Sequence, residues 1–320
     1  MPPHIGHLYL IDVARRQVDQ LSVVIFTKAC EPIPGTLRVG WLRELVPDLP
    51  VLHATQEHSV DFDDAAAWDF WVGAIREVLP ADPAIVFSSE AYGAELARRL
   101  GARHVLVDPA RTQVPVSATQ IREHPLANWD YIPPAVRPYF ARRVAVVGAE
   151  STGKTTLARS LAAHFQTVWA PEFAREYLGA AAHGGAVTPD DMLVIARGQA
   201  ALEDRLARDA NRLLICDTNL LTTLIWHEHY FGACPPEIRR MAAERTADLY
   251  LLCDVDIPWV GDGLRDSPGE RGWFHERFVQ ELEARGLPYR VLSGSHDQRL
   301  AAAIHHIASV VGEPYSVTDR

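Results

Sequence analysis

The chain has 320 residues, 48% of them hydrophobic, and a formal net charge of −10. That length exceeds what one hydrophobic core usually fills, so two domains are predicted, and the mix of apolar and charged residues excludes a disordered or fibrous chain. Lys plus Arg number 12 against 17 Asp plus Glu up to Ala141 and 19 against 24 after it, so neither half carries the cationic surface that a nucleic acid duplex demands.

In chain order, the first feature is Met1-Pro2-Pro3-His4-Ile5-Gly6-His7-Leu8, with an amphipathic helix predicted from His7 onward. Two histidines flanking a glycine at a helix start suit an anion, because imidazole and backbone N–H donors converge there. Taken alone the pattern also suits a metal-binding pair, although no further ligand accompanies it. Short apolar runs then alternate with helical patterns. Leu21–Phe26, Ala84–Phe87 and His104–Val107 read as buried strands, and Val144–Val147, Leu213–Cys216, Leu249–Cys253 and Tyr289–Leu292 continue the series. Such alternation predicts an α/β fold of parallel sheets covered by helices, with ligands at the carboxyl ends of the strands. After His104–Val107 comes Val116-Ser117-Ala118-Thr119-Gln120-Ile121-Arg122. The hydroxyls of Ser117 and Thr119, with Arg122 one turn later, can address one anion at the start of a helix.

Between Glu123 and Arg143 the pattern breaks into a stretch with Pro125, Pro133, Pro134 and Pro138. We place a boundary there, giving domains 1–141 and 142–320. The strand Val144–Val147 runs into Gly148-Ala149-Glu150-Ser151-Thr152-Gly153-Lys154-Thr155-Thr156, and Leu157–His164 reads as a helix. Strand, glycine loop and helix in this order make a P-loop, whose backbone N–H groups wrap the phosphates of ATP. Lys154 is expected at the β- and γ-phosphates and Thr155 at Mg²⁺. Asp217 ends the strand Leu213–Cys216 and is either a second metal anchor or the cap of the following helix. After the strand Thr167–Ala170, Glu172 and Arg175 are candidates for a general base and a phosphate or substrate ligand; a charged helix start facing water is the alternative. The stretch from Pro258 to Arg271, with Trp259, Arg265 and Arg271, is too irregular for an element and reads as a lid that brings an arginine to the transferring phosphoryl group.

The four cysteines, Cys30, Cys216, Cys234 and Cys253, form no Cys-x-x-Cys pair, which argues against structural zinc or a disulfide scaffold. No apolar run approaches the ~20 residues that span a bilayer. A cytoplasmic protein is expected, with no nucleic acid partner and no membrane insertion, and a homo-oligomer is compatible with the sequence.

His-x-Gly-His with the Ser117 to Arg122 motif resembles the nucleotidylyltransferases of Rossmann-like fold. With the P-loop half added, the order of motifs resembles the NadR-type proteins, nicotinamide-nucleotide adenylyltransferase joined to ribosylnicotinamide kinase. The likeness extends to Ala67-Trp68-Asp69-Phe70-Trp71, Ser88-Ser89-Glu90, Val107-Asp108-Pro109 with Arg111, Trp129 to Pro133, and Pro258-Trp259 followed by Asp262-Gly263-Leu264-Arg265. The resemblance implies an NAD salvage enzyme. Its P-loop half would phosphorylate ribosylnicotinamide with ATP, and its first half would adenylate the resulting nicotinamide mononucleotide to NAD, releasing pyrophosphate. His4, His7, Ser117, Thr119 and Arg122 would then hold a triphosphate. Trp68 and Trp71 become candidates to stack on a cationic nicotinamide ring, or are core residues, and Trp259 and Arg175 further substrate contacts. Members of this family usually begin with a strand ending Gly-x-Phe ahead of the histidine motif, and some with a DNA-binding domain; here the first strand is truncated. Either the start lies too far downstream or the adenylyltransferase is impaired. Two further readings stay open: a kinase whose first domain binds nucleotide without turnover, and a regulatory partner that senses ATP and NAD.

Overall fold

The computed structural model describes residues 2–55, 65–180, 186–259 and 268–312. The chain divides into two compact units, Met1–Val136 and Arg137–Arg320, so the division falls inside the proline-rich stretch, just ahead of Ala141.

The first unit contains α1 (Ile5–Arg15), β1 (Val23–Thr27), α2 (Gly35–Leu45), β2 (Val51–Thr55), α3 (Ala65–Val78), β3 (Ile85–Ser88), α4 (Tyr92–Leu100), β4 (Arg103–Leu106) and α5 (Ala118–Glu123). Its four described strands form two separate parallel ladders, β1 with β2 and β3 with β4. Each ladder has its own apolar cluster. Ile11, Val39, Leu42, Val46 and Val51 gather beside the first, and Val72, Ile75 and Leu100 with Val86 and Phe26 beside the second. The strand β2, Val-Leu-His-Ala-Thr, is absent from the sequence reading because His53 interrupts its apolar run; its ring meets the buried hydroxyl of Thr27 on β1 at 2.8 Å. Helix α1 begins at Ile5, ahead of the predicted His7. The backbone of His4 is extended, and its ring accepts from Gly6 N while the ring of His7 accepts from His4 N, a reciprocal cap that sets the helix start.

The second unit contains α6 (Arg137–Phe140), β5 (Arg142–Val147), α7 (Lys154–His164), β6 (Trp169–Ala170), α8 (Phe173–Ala180), α9 (Pro189–Ala207), β7 (Leu213–Asp217), α10 (Leu220–Phe231), α11 (Pro236–Glu244), β8 (Leu249–Cys253), α12 (Arg271–Ala284), β9 (Tyr289–Leu292) and α13 (His296–Val311). Five strands make one all-parallel sheet in the order β6-β7-β5-β8-β9. The inner strands read Val-Ala-Val-Val, Leu-Leu-Ile-Cys and Leu-Tyr-Leu-Leu-Cys without alternation because they are buried on both faces. Helices α7 and α13 pack on each other and on the sheet, while α9 lies on β6 and β7 and carries α8, α10 and α11. Thr188 caps α9 with Pro189 at its first position, and Ser295 caps α13 through a reciprocal bond with Gln298. Among the described residues no helix is long and apolar enough to cross a membrane.

Candidate active site

At the carboxyl end of β5 the chain turns through Gly148, whose φ is +137°; a Cβ there would stand 2.8 Å from the carbonyl of Cys253 on β8. Only glycine lets the loop lie this close to the neighbouring strand. Ser151 and Gly153 also take positive φ. Among the described residues no side chain caps α7 at Gly153, an arrangement that suits a helix start that receives an anion. Thr152 Oγ1 and Lys154 Nζ both donate to Ala149 O, at 2.8 and 2.6 Å. Thr156 is exposed on the first turn of α7 and Glu150 is buried in the loop.

Two buried arginines brace this loop from outside its own segment. Arg299 of α13 donates to Thr152 O at 2.9 Å, to Gly294 O at 3.0 Å and to Asp254 O at 3.2 Å, and pairs with Asp256. Arg271 donates twice to Ile257 O at 3.0 Å and reaches Ser151 O at 3.4 Å. Expected to reach a phosphoryl group from a lid, Arg271 instead spends these bonds on backbone carbonyls and is 9% exposed. Trp259 is half-buried, its Nε1 enclosed without a partner among the described residues. Arg265 lies outside the described residues.

Thr155 and Asp217 meet: Thr155 Oγ1 donates to Asp217 Oδ2 at 2.6 Å, while Asp217 Oδ1 is buried with no partner. Asp217 belongs to β7 and does not cap α10, since Asn219 fills that role by accepting from Leu221 N at 3.2 Å. Burial pushes the Asp217 carboxyl up, against the Thr155 hydrogen bond and the charge of Lys154. A buried carboxylate oxygen without a donor, next to a hydroxyl on a P-loop, is a donor set that fits a hard divalent cation.

Glu172 does not face water. It is 6% exposed and accepts from Arg175 Nε at 2.9 Å. It lines a cleft whose other walls include Leu178, Met192, Ile195, Thr222, Trp226 and Tyr230. The Trp226 ring packs 4.1 Å from Phe274 and 5.4 Å from Tyr230. Thr218, which follows Asp217 at the end of β7, lines the same cleft, so the cleft reaches the residue next to the carboxylate that meets Thr155.

In the first unit the rings of His4 and His7 lie 3.9 Å apart. Each uses Nδ1 to accept a backbone N–H, so the neutral ring carries its proton on Nε2 and can donate from that edge. Burial, and then neighbouring charge that includes Arg111, lowers His4 to about 3 and His7 to about 4. Ser117 caps α5, its Oγ accepting from Gln120 N at 3.1 Å, and Thr119 and Arg122 lie on the same short helix. Trp68, read as a stacking platform or a core residue, is a core residue: it is buried, with the Arg99 guanidinium 5.6 Å from its ring centre. Trp71 is half-buried 4.4 Å from the Phe26 ring, with Nε1 enclosed and unpaired.

The model of an AAA domain matches residues 143–299. The trifunctional NAD biosynthesis/regulator protein NadR of Escherichia coli strain K12 is 32% identical over 335 residues, covering 98% of this chain and 82% of that protein. The chain belongs to the NadR family. The NadR protein of Salmonella typhimurium strain LT2 matches to the same extent. A crystal structure of a NadR protein in complex with NR shares 25% identity and a TM-score of 0.80, covering 99% of this chain and 95% of that one. Another, in complex with NAD and AMP-PNP, shares 26% identity and a TM-score of 0.78 over 98% and 95%.

Within this NadR-family chain the sequence reading missed the aromatic cleft. Trp226 and Tyr230 sit four residues apart on a helix whose first eight residues are all buried, and such a pattern signals burial without showing which residues border a space. Missed for the same reason were Arg299 and Gln199, polar residues 4% and 2% exposed, whose spacing on their helices gives no sign that they face inward.

Proposed function

We propose that the chain is a cytoplasmic NAD salvage enzyme with two ATP-dependent activities. The second unit transfers the γ-phosphoryl group of ATP to the 5′ hydroxyl of ribosylnicotinamide. The first transfers the adenylyl group of ATP to nicotinamide mononucleotide. The observation that carries the reading is the placement of Glu172 on the wall of the aromatic cleft, next to the Thr155–Asp217 pair of the P-loop. NadR proteins have been crystallised with NR and with NAD and AMP-PNP, which supports a nucleoside in this cleft.

In the kinase unit the ring of the nucleoside lies against the cleft wall that Trp226 and Tyr230 form together, and its 5′ oxygen faces the γ-phosphorus. Glu172 accepts the hydroxyl proton as the new P–O bond forms and the bond to the β-phosphate oxygen breaks, leaving ADP. Lys154 and the α7 N–H groups hold the phosphates. Thr155 and Asp217 would hold Mg²⁺, which would offset the charge of the phosphates. In the first unit His4 and His7 donate from Nε2 to the triphosphate, joined by Ser117, Thr119 and Arg122. A phosphate oxygen of the mononucleotide attacks the α-phosphorus and pyrophosphate departs. Catalysis in both is positioning and charge stabilisation, with no covalent intermediate.

The test is a product assay with ATP and Mg²⁺, offering ribosylnicotinamide in one reaction and nicotinamide mononucleotide in another. Mononucleotide formed in the first and lost with Lys154→Ala supports the kinase; NAD formed in the second and lost with His7→Ala supports the transferase. No product in either reaction would refute the reading. The two unjoined ladders of the first unit favour a second reading, a kinase whose first unit binds nucleotide without turnover; it predicts product in the first reaction alone.

A further inference from the structure

Glu172 sits where the chain has just left β6, a strand of only two residues, and is about to enter α8. The entry is pinned from another helix. Phe173 N donates to Gln199 Oε1 of α9 at 2.9 Å, and Gln199 Nε2 donates to Glu203 Oε1 at 3.0 Å. A backbone N–H can only donate, so it fixes which end of the Gln199 amide faces it; the other end must then find an acceptor, and Glu203 supplies one. Gln199 and Glu203 are each 2% exposed. A second contact anchors the same residue: a Cβ on Gly198 would stand 2.2 Å from Cε1 of the Phe173 ring, so that ring lies flat on the α9 backbone. Tyr177 extends the docking by donating to Asp191 Oδ1 at 2.8 Å.

We propose that Gln199 is a positioning residue for Glu172, acting through the backbone of Phe173, with Glu203 as the buried group that orients the Gln199 amide. The inference rests on Glu172 as the base of the kinase unit. Gln199 supplies a donor-acceptor relay that an apolar side chain of the same size cannot copy. Facing Glu203 are Arg143 of β5, Cys216 of β7, Arg245 at the end of α11, Tyr250 of β8, and its own neighbour Asp204.

The test is a double-mutant cycle on the full chain, read as kcat and KM with ATP, Mg²⁺ and ribosylnicotinamide. Glu172→Gln is expected to lower kcat by about 100-fold. Gln199→Leu is expected to lower it about 10-fold or more while KM for ATP stays within about twofold, because a displaced base costs rate and not nucleotide binding. Combined, the two should cost no more than Glu172→Gln alone, since one acts through the other. A further variant keeps the test independent of folding. In Gln199→Glu the new carboxyl can accept from Phe173 N, but it reaches Glu203 only while the pair shares a proton. Its kcat should approach that of the parent at low pH and fall, reversibly in one preparation, as pH rises; the parent should show no such extra loss. An unchanged kcat in Gln199→Leu, or a Gln199→Leu loss that persists in full on the Glu172→Gln background, overturns the positioning role. A Glu172→Gln variant with full kcat removes the base itself and the proposal with it.

Discussion

Thr155 Oγ1 donates to one oxygen of Asp217 at 2.6 Å, and the other oxygen of that carboxylate has no partner. The two ends of Asp217 are therefore unequal, and Asn should separate their roles. Asp217→Asn keeps an acceptor for Thr155 and removes the buried charge, so its melting temperature should match or exceed that of the parent. Kinase turnover should fall by about 100-fold or more, since a preorganised charge at the phosphates is lost. Parallel thermal melts and rates at several Mg²⁺ concentrations check both halves of the prediction.

Arg299 ties Thr152 of the P-loop to the ends of β8 and β9 from the last helix. Its removal leaves several carbonyls and one oxygen of the Asp256 carboxylate without this donor, while Gly294 N still serves the other oxygen. Arg299→Ala should destabilise the second unit by about 3 kcal/mol and raise KM for ATP. Urea unfolding with a probe in the second unit measures the first effect; a variant within about 0.5 kcal/mol of the parent would show that the staple is dispensable.

Tyr230 is 43% exposed, so cutting it back costs little core. If the cleft receives the nucleoside ring, Tyr230→Ala should raise KM for ribosylnicotinamide about tenfold, the weight of one stacking partner, and leave KM for ATP unchanged. Equal changes for both substrates would place the nucleoside elsewhere.

The two units should respond to pH in opposite directions. His4 and His7 are lowered to about 3 and about 4 in the folded chain, against about 6.5 when unfolded. As pH falls below 6.5 the unfolded chain takes up protons that the folded unit refuses, so the first unit loses stability toward pH 4. In the second unit, burial pushes the Glu203 carboxyl up to about 7, against the Gln199 hydrogen bond and the charges of Arg245 and Arg143. Its folded pKa lies above the unfolded one, so the second unit loses stability as pH rises from about 4.5 through 7. Denaturant titrations across this range, resolved by unit, should show the crossing slopes, and Glu203→Gln should flatten the second alone.

The parts legible in the sequence are those whose chemistry is local. The P-loop could be read because Gly148, Gly153, Lys154 and Thr155 follow a continuous apolar strand, and eight strands appear within a residue or two of their expected places because each is a short apolar or β-rich run. The bonds of Arg271 to the carbonyls of Ile257 and Ser151 were not legible, since the sequence shows there only charge in an irregular stretch. What pairs across the fold was not legible. Gln199 and Glu203 stand four apart on α9, a spacing that suits a solvated face as well as a buried relay. Nor was it legible that Asp217 leaves the cap of α10 to Asn219, two residues on.

The division of the first unit into two ladders has a consequence for how its backbone opens. The β1–β2 and β3–β4 pairs share no strand-to-strand hydrogen bonds among the described residues, and Phe26 of β1 and Val86 of β3 pack against one apolar cluster, Val72, Ile75 and Leu100, that links them. Side-chain packing without a common ladder transmits less cooperativity, so the two pairs should behave as separate foldons. Amide deuterium exchange should then give one protection level for Val23–Thr27 with Val51–Thr55 and another for Ile85–Ser88 with Arg103–Leu106. In the second unit, where β5 bonds to strands on both sides, the central amides should exchange together and last.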